Sequence, residues 1–187
     1  MSWESEYAFV LLFSQVSHLG ILVVSIATGS YFDVECRDAK TGDGAFLQVT
    51  TDVGGKLIPT LPDSFFLDNL LASTGRFSFY GQPTDVKVKA SRTEGGYRII
   101  DFSFSNLSQS TQTEIPRKAR LVATIPSGST QAVMLISSAS AIRWKKGSDK
   151  LVASTAESFR AITGPSTGLK LRRKVDKSAL LLDDEEQ

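Results

Sequence analysis

The chain holds one histidine, His18, and one cysteine, Cys36. Nucleophilic catalysis sets a base beside its nucleophile, and metal centres gather several His, Cys or carboxylate ligands. His18 lies in an apolar stretch with no Cys, Asp or Glu at ligand spacing, so it reads as a packed or interfacial side chain. Cys36 precedes Arg37, a cation that can lower a thiol pKa, but a half-buried strand residue is the simpler reading. A single cysteine also excludes an internal disulfide framework. Asp43, Asp52, Asp63, Asp68 and Asp101 are scattered carboxylates with no EF-hand spacing. A calcium site built from distant loops stays open. No nucleophile elbow, phosphate-binding loop or dinucleotide fingerprint occurs. These residues lead us to expect no enzyme, no catalytic residues, no resident cofactor or metal, and no small-molecule substrate.

Binding chemistry has more support. Arg143, Lys145, Lys146 and Lys150 fall within eight residues, with Trp144 among them. Such a cluster can steer an acidic partner, and the attraction falls with salt. Trp144 is either an exposed anchor for that partner or a lid clamping a helix onto a sheet. A second basic run, Arg172, Arg173 and Lys174, could meet an anionic lipid surface or an acidic protein. It sits in a tail where five bases between Lys170 and Lys177 precede Leu180–Leu182 and four acids, Asp183 to Glu186. Charge blocks of this kind are solvated ends or interaction segments. Here the alternative to a solvated end is a transient helix that docks by its leucines.

The elements that must position these residues are bounded by size and composition. The 187 residues carry 21 Lys and Arg against 20 Asp and Glu, a net charge of +1, with 41% hydrophobic and 22% charged residues. Those values suit one folded domain with tails. The balanced charge argues against a nucleic-acid binder. Residues 1–30 contain no Lys or Arg and are mostly apolar. That segment reads as an amphipathic or buried helix, a membrane or signal-like segment, or an atypical start with no stable fold. It lacks the positive leader of a secretory signal and the Arg-rich, acid-poor character of a transit peptide.

Regular patterning starts at residue 31. Tyr31–Arg37 and Ala45–Thr51 read as strands around the Thr41-Gly42-Asp43-Gly44 turn. Residues 62–74 read as a short amphipathic helix, with Pro62 at its first position and Phe66, Leu67, Leu70 and Leu71 as its apolar stripe. Thr84–Arg92 alternates, with Val86, Val88 and Ala90 expected inward, and Glu94-Gly95-Gly96 reads as a hairpin turn. Strands follow at Tyr97–Ser105, Arg117–Ile125 and Thr130–Ser140. The last is apolar on both faces, as expected of a central strand covered on both sides. A final helix should begin at Ser148 and bury Leu151, Val152, Thr155, Phe159 and Ile162. This order predicts an α+β fold, an α/β/α sandwich whose mainly antiparallel sheet is covered by helices. The expected division is an N-terminal segment 1–30, a domain 31–163 and a charged tail 164–187.

Over residues 31–163 the chain resembles the PsbP family of thylakoid-lumen proteins. The resemblance is carried by the Thr84–Arg92 strand, Gly95-Gly96-Tyr97 leading into Ile99-Ile100-Asp101-Phe102, and the strands Arg117–Ile125 and Thr130–Ser140. Arg143-Trp144-Lys145-Lys146 and a closing helix with Ser158-Phe159 complete it. The resemblance implies a non-catalytic extrinsic protein on the lumen side of the chloroplast thylakoid membrane. Such a protein supports assembly or stability of photosystem II and its oxygen-evolving complex, photosystem I or the NDH complex. The partners it implies are subunits of those complexes and the membrane surface, and calcium enters only at the level of the family. The chain departs from the family's namesake in lacking its aromatic entry strand, its basic flexible N-terminal segment and its metal-linked histidines. It therefore resembles a divergent PsbP-domain protein, and a truncated or alternatively spliced product would account for the missing entry strand. The alternative is a soluble partner-binding module of the same fold, such as a small-GTPase-binding protein.

Overall fold

The computed structural model describes residues 7–11, 22–26, 35–38, 41–72, 76–78, 81–108 and 111–161. The chain forms a mixed α+β fold around an antiparallel sheet. In sequence order the strands are β1 (Tyr7–Leu11), β2 (Leu22–Ile26), β3 (Glu35–Arg37), β4 (Gly44–Asp52), β5 (Thr84–Glu94), β6 (Tyr97–Leu107), β7 (Glu114–Thr124) and β8 (Gln131–Ser140). Helix α1 is Asp63–Leu70, α2 is the single turn Ala141–Arg143 and α3 is Asp149–Glu157. The large sheet runs β3-β4-β8-β7-β6-β5, with every described pairing antiparallel. Among the described residues, strands β1 and β2 pair with each other alone, from Tyr7 opposite Ile26 to Leu11 opposite Leu22.

The period-2 alternation of side chains divides the sheet into two apolar faces. On one face, Phe46, Ile100, Phe102, Phe104, Leu121, Met134 and Ile136 pack with Phe66, Leu67 and Leu70 of α1. On the other, Leu47, Val122, Val133 and Leu135 pack with Ala156 of α3 and with Phe159 just beyond it. Neighbours in sequence therefore face opposite layers, as Phe46 and Leu47 do. Strand β8 lies between β4 and β7 and is buried from Ala132 to Ala139, which explains its apolar residues at both parities.

Helix α1 is tied down at both ends. Asp63 in its first turn accepts from Arg98 (2.6 Å) and from Ser91 Oγ (2.8 Å). Near its last turn, Asn69 accepts the Thr51 backbone N–H, and the Asn69 carbonyl accepts from Gln48 Nε2. Pro62 proves to be the residue before the helix, with extended backbone, so the first helical position is Asp63. Asp63 sits where the dipole favours a carboxylate. Glu94 pairs with Tyr97 across a two-residue turn in which Gly95 (φ 55°) and Gly96 (φ 82°) both have positive φ. That is the hairpin geometry glycine supplies without steric cost.

Three expectations are corrected. Strand β5 is the sheet edge and is exposed along nearly its whole length, with Val86 39% and Val88 43% accessible. Bulges between Thr84 and Lys87 and between Val88 and Ala90 break its alternation. Val88 lies opposite Phe102 while Ala90 lies opposite Asp101, so the three apolar residues do not share an inward face. Second, the described part of residues 1–30 is strand rather than helix. Each described strand there is five residues rich in aromatic and branched side chains, the types that favour a strand. Among the described residues, no helix is long and apolar enough to cross a membrane. Third, α3 buries Val152 and Ala156, with Phe159 beyond its end, while Leu151 is 49% exposed. Tyr31 to Val34, Ile162 and the tail from residue 162, with Arg172, Arg173 and Lys174, lie outside the described residues.

Candidate functional site: the elbow between β8 and α3

The chain leaves the central strand β8 and enters α3 through an elbow, Ala141–Ser148. Ser140 caps the first turn, its Oγ accepting the Arg143 backbone N–H at 3.4 Å. A wide helical turn, Trp144–Ser148, follows and breaks at Gly147, whose φ of 104° lies in the region that favours glycine. This moves the helix start. Ser148 makes no side-chain cap; its hydroxyl donates to Asp43 Oδ2 at 3.1 Å.

Asp43 holds both ends of the elbow. Asp43 is 8% exposed, and its carboxylate accepts from the Ser140 backbone N–H (3.4 Å), Arg143 Nε (2.5 Å) and Ser148 Oγ (3.1 Å). The β3–β4 turn places it: the Asp38 N–H donates to the Asp43 carbonyl, and the Asp43 N–H donates to Thr41 Oγ1. The same turn is bound to β7, because buried Arg117 donates to the Gly42 carbonyl at 2.8 Å and to Ser138 Oγ at 3.0 Å. The hydrogen bond to Asp43 raises the Arg143 guanidinium above its ordinary pKa.

The five residues singled out in the sequence are thus together but not equivalent. Arg143 is committed to Asp43, so its charge serves the elbow's own structure. Lys145, Lys146 and Lys150 are exposed, and among the described residues none has an ion-pair partner. Trp144 is half-buried and stacks under the Lys118 ammonium, 5.7 Å from the ring centroid. A cation over an indole face is favourable, and it fixes the ring against β7. Trp144 therefore combines a clamped face with partial exposure. Ile142 is 71% exposed and Leu151 49%, so the elbow together with the first turn of α3 presents two large apolar side chains and three lysines. Ile142 stands one helical turn from Lys145 and Lys146.

Asp43 and Ser148 are the positioning residues that sequence reading missed. An Asp in a Thr-Gly-Asp-Gly turn is explained by the turn alone, and its partner Arg143 lies a hundred residues away. No short-range signal could have joined them.

Other carboxylates are also spent on structure. Asp101 holds Arg120 across β6 and β7 through two hydrogen bonds, 2.6 and 3.0 Å, with Arg92 at 3.8 Å. Those bonds hold the Arg120 guanidinium above its usual pKa against the lowering effect of burial. Asp52 accepts the Gly54 N–H within its own loop. Among the described residues no three His, Cys, Asp or Glu side chains gather as a metal site would require. Cys36 is exposed. A scan against protein-family models and a search of curated proteins return no match.

Proposed function

We propose that this chain is a non-catalytic docking protein that meets an acidic partner surface through the β8–α3 elbow. The observation that carries the reading is the exposed group Lys145, Lys146 and Lys150, set beside Ile142, Trp144 and Leu151 on an anchored turn. Exposed lysines provide salt-sensitive steering, and a few apolar or aromatic side chains provide the contacts that hold. An anchored loop loses little conformational freedom on binding.

The partner class follows from the resemblance to PsbP-domain proteins. On that reading the chain is an extrinsic protein of the thylakoid lumen that supports a photosynthetic complex: photosystem II with its oxygen-evolving centre, photosystem I or NDH. The strand–helix order and the placement of α1 and α3 on opposite faces are those of a general α+β sandwich, and the photosynthetic assignment rests on the resemblance of residues 31–163.

The test is salt-dependent fractionation of the tagged protein from green tissue, read against native-gel complexes. The proposal expects thylakoid association, co-migration with a photosystem or NDH band, and release by high salt. Lys145→Glu, Lys146→Glu and Lys150→Glu together should abolish co-migration while leaving the thermal melt unchanged within about 0.5 kcal/mol, as surface changes do. Soluble protein bound to a small GTPase in a nucleotide-dependent manner would overturn the photosynthetic assignment. Unaltered co-migration of the triple variant would overturn the elbow's role.

A further inference from the structure

The elbow's chemistry has a complement within the same chain. Residues 178–187 read Ser-Ala-Leu-Leu-Leu-Asp-Asp-Glu-Glu-Gln, three leucines followed by four acids. The elbow offers Ile142, Trp144 and Leu151 beside Lys145, Lys146 and Lys150. We propose that residues 178–187 dock in cis on the elbow, the leucines on its apolar side chains and the acids on its lysines, and so compete with the partner. This deepens the docking reading and rests on it for its purpose, though not for its test.

Reach and sign favour the elbow as receiver. The described chain ends at Ala161, just past α3, while the elbow lies at the other end of that helix. A nine-residue helix is roughly 14 Å long. Sixteen residues, 162–177, separate Ala161 from Ser178, and a random coil of that length spans about 22 Å. A tether of that length gives an effective concentration on the order of millimolar, enough for a weak contact to form within the chain and to yield to a tighter partner. The five bases between Lys170 and Lys177 carry the elbow's own sign. They are repelled there, which fixes which part of the tail can dock. Strand β5 also exposes lysines and valines, but its bulges set Lys87 opposite Ser103 and Val88 opposite Phe102, on different faces of the sheet. Lys87 and Val88 therefore do not join a charge and an apolar group on one side.

Zero-length carbodiimide cross-linking of the full chain, followed by proteolysis after Lys and Arg, tests this directly. Cleavage at Lys177 releases residues 178–187 as one peptide. The expected products join that peptide to Lys145, Lys146 or Lys150 within a single molecule and fall roughly tenfold between low salt and 0.5 M, where the Debye length drops below about 5 Å. Replacing the three lysines by Glu should remove these links. So should replacing Asp183, Asp184, Glu185 and Glu186 by Lys, and combining both sets should restore them, which a misfolded variant could not do. Cross-links chiefly to Lys87 or Lys89, links between isotopically distinct copies, or no restoration in the combined variant would each overturn the proposal. Because no partner is present, failure here leaves the fractionation result untouched, and failure there leaves this latch standing.

Discussion

Asp43 is the residue on which the elbow's shape depends. A buried carboxylate that accepts two side-chain donors and one backbone N–H is costly to remove, because the donors keep their burial and lose their acceptor. Asp43→Ala should therefore destabilise the fold by about 2–3 kcal/mol. Asp43→Asn keeps an acceptor oxygen and should cost about 1 kcal/mol. Chemical denaturation measures both. The local signature is faster amide exchange across Arg143–Ser148 with little change in β6 and β7, since local opening follows the bonds that are lost. Uniform acceleration across the sheet would mean that Asp43 supports the core rather than the elbow. Arg143→Ala removes the same ion pair from its exposed side, so it should be milder than Asp43→Ala. Arg143 thus explains how a residue in a cationic cluster can have a structural role while its neighbours stay available for a partner.

At the scale of elements, the two flanking helices and the edge strand make contrasting predictions. Phe66 is fully buried between α1 and the sheet, with Phe65 edge-on at 5.3 Å. Phe66→Ala should cost about 3–5 kcal/mol, the usual loss when an aromatic core side chain leaves a cavity. Val88→Lys on the exposed edge should stay within about 0.5 kcal/mol and improve solubility, because a charge blunts an open edge. Denaturant midpoints decide both; a loss above 1 kcal/mol for Val88→Lys would mean that β5 packs against something outside the described residues. The same contrast explains what the sequence made legible. Strands β6 to β8 are internal, so burial enforces their patterns and residues such as Ile100, Phe102 and Leu121 reveal their face directly. Strand β5 alternates just as well on paper, but nothing among the described residues covers Val86 or Val88, and the bulges that re-aim Ala90 leave no trace in composition. The start of α3 was hidden for a different reason. Ser148 looks like a cap in isolation, and only Asp43, far away in sequence, diverts its hydroxyl.

For the whole molecule, the pairing pattern decides what the N-terminal segment contributes. The chain's first thirty residues looked helical or membrane-like because two short apolar runs add up to one long hydropathic stretch. In the fold those runs are β1 and β2, hydrogen-bonded to each other, while the six-stranded sheet begins at Glu35. Among the described residues, both cores of the sandwich are built from Ala45 onward. Removing residues 1–29 should then leave the sheet, α1 and α3 intact and give a single cooperative melt with a midpoint close to that of the full chain. The opposing consideration is the edge at β3, which pairs over only three residues, Glu35–Arg37, and leaves most of β4's outer side unpaired by it. An uncovered edge promotes association. Calorimetry combined with light scattering separates the two effects. A reversible transition from a monodisperse sample would show that residues 1–29 are dispensable for folding. An unchanged far-ultraviolet spectrum with concentration-dependent aggregation would assign those residues to guarding the β3–β4 edge. Loss of the cooperative transition would mean that they are part of the sandwich itself, against the pairing described here.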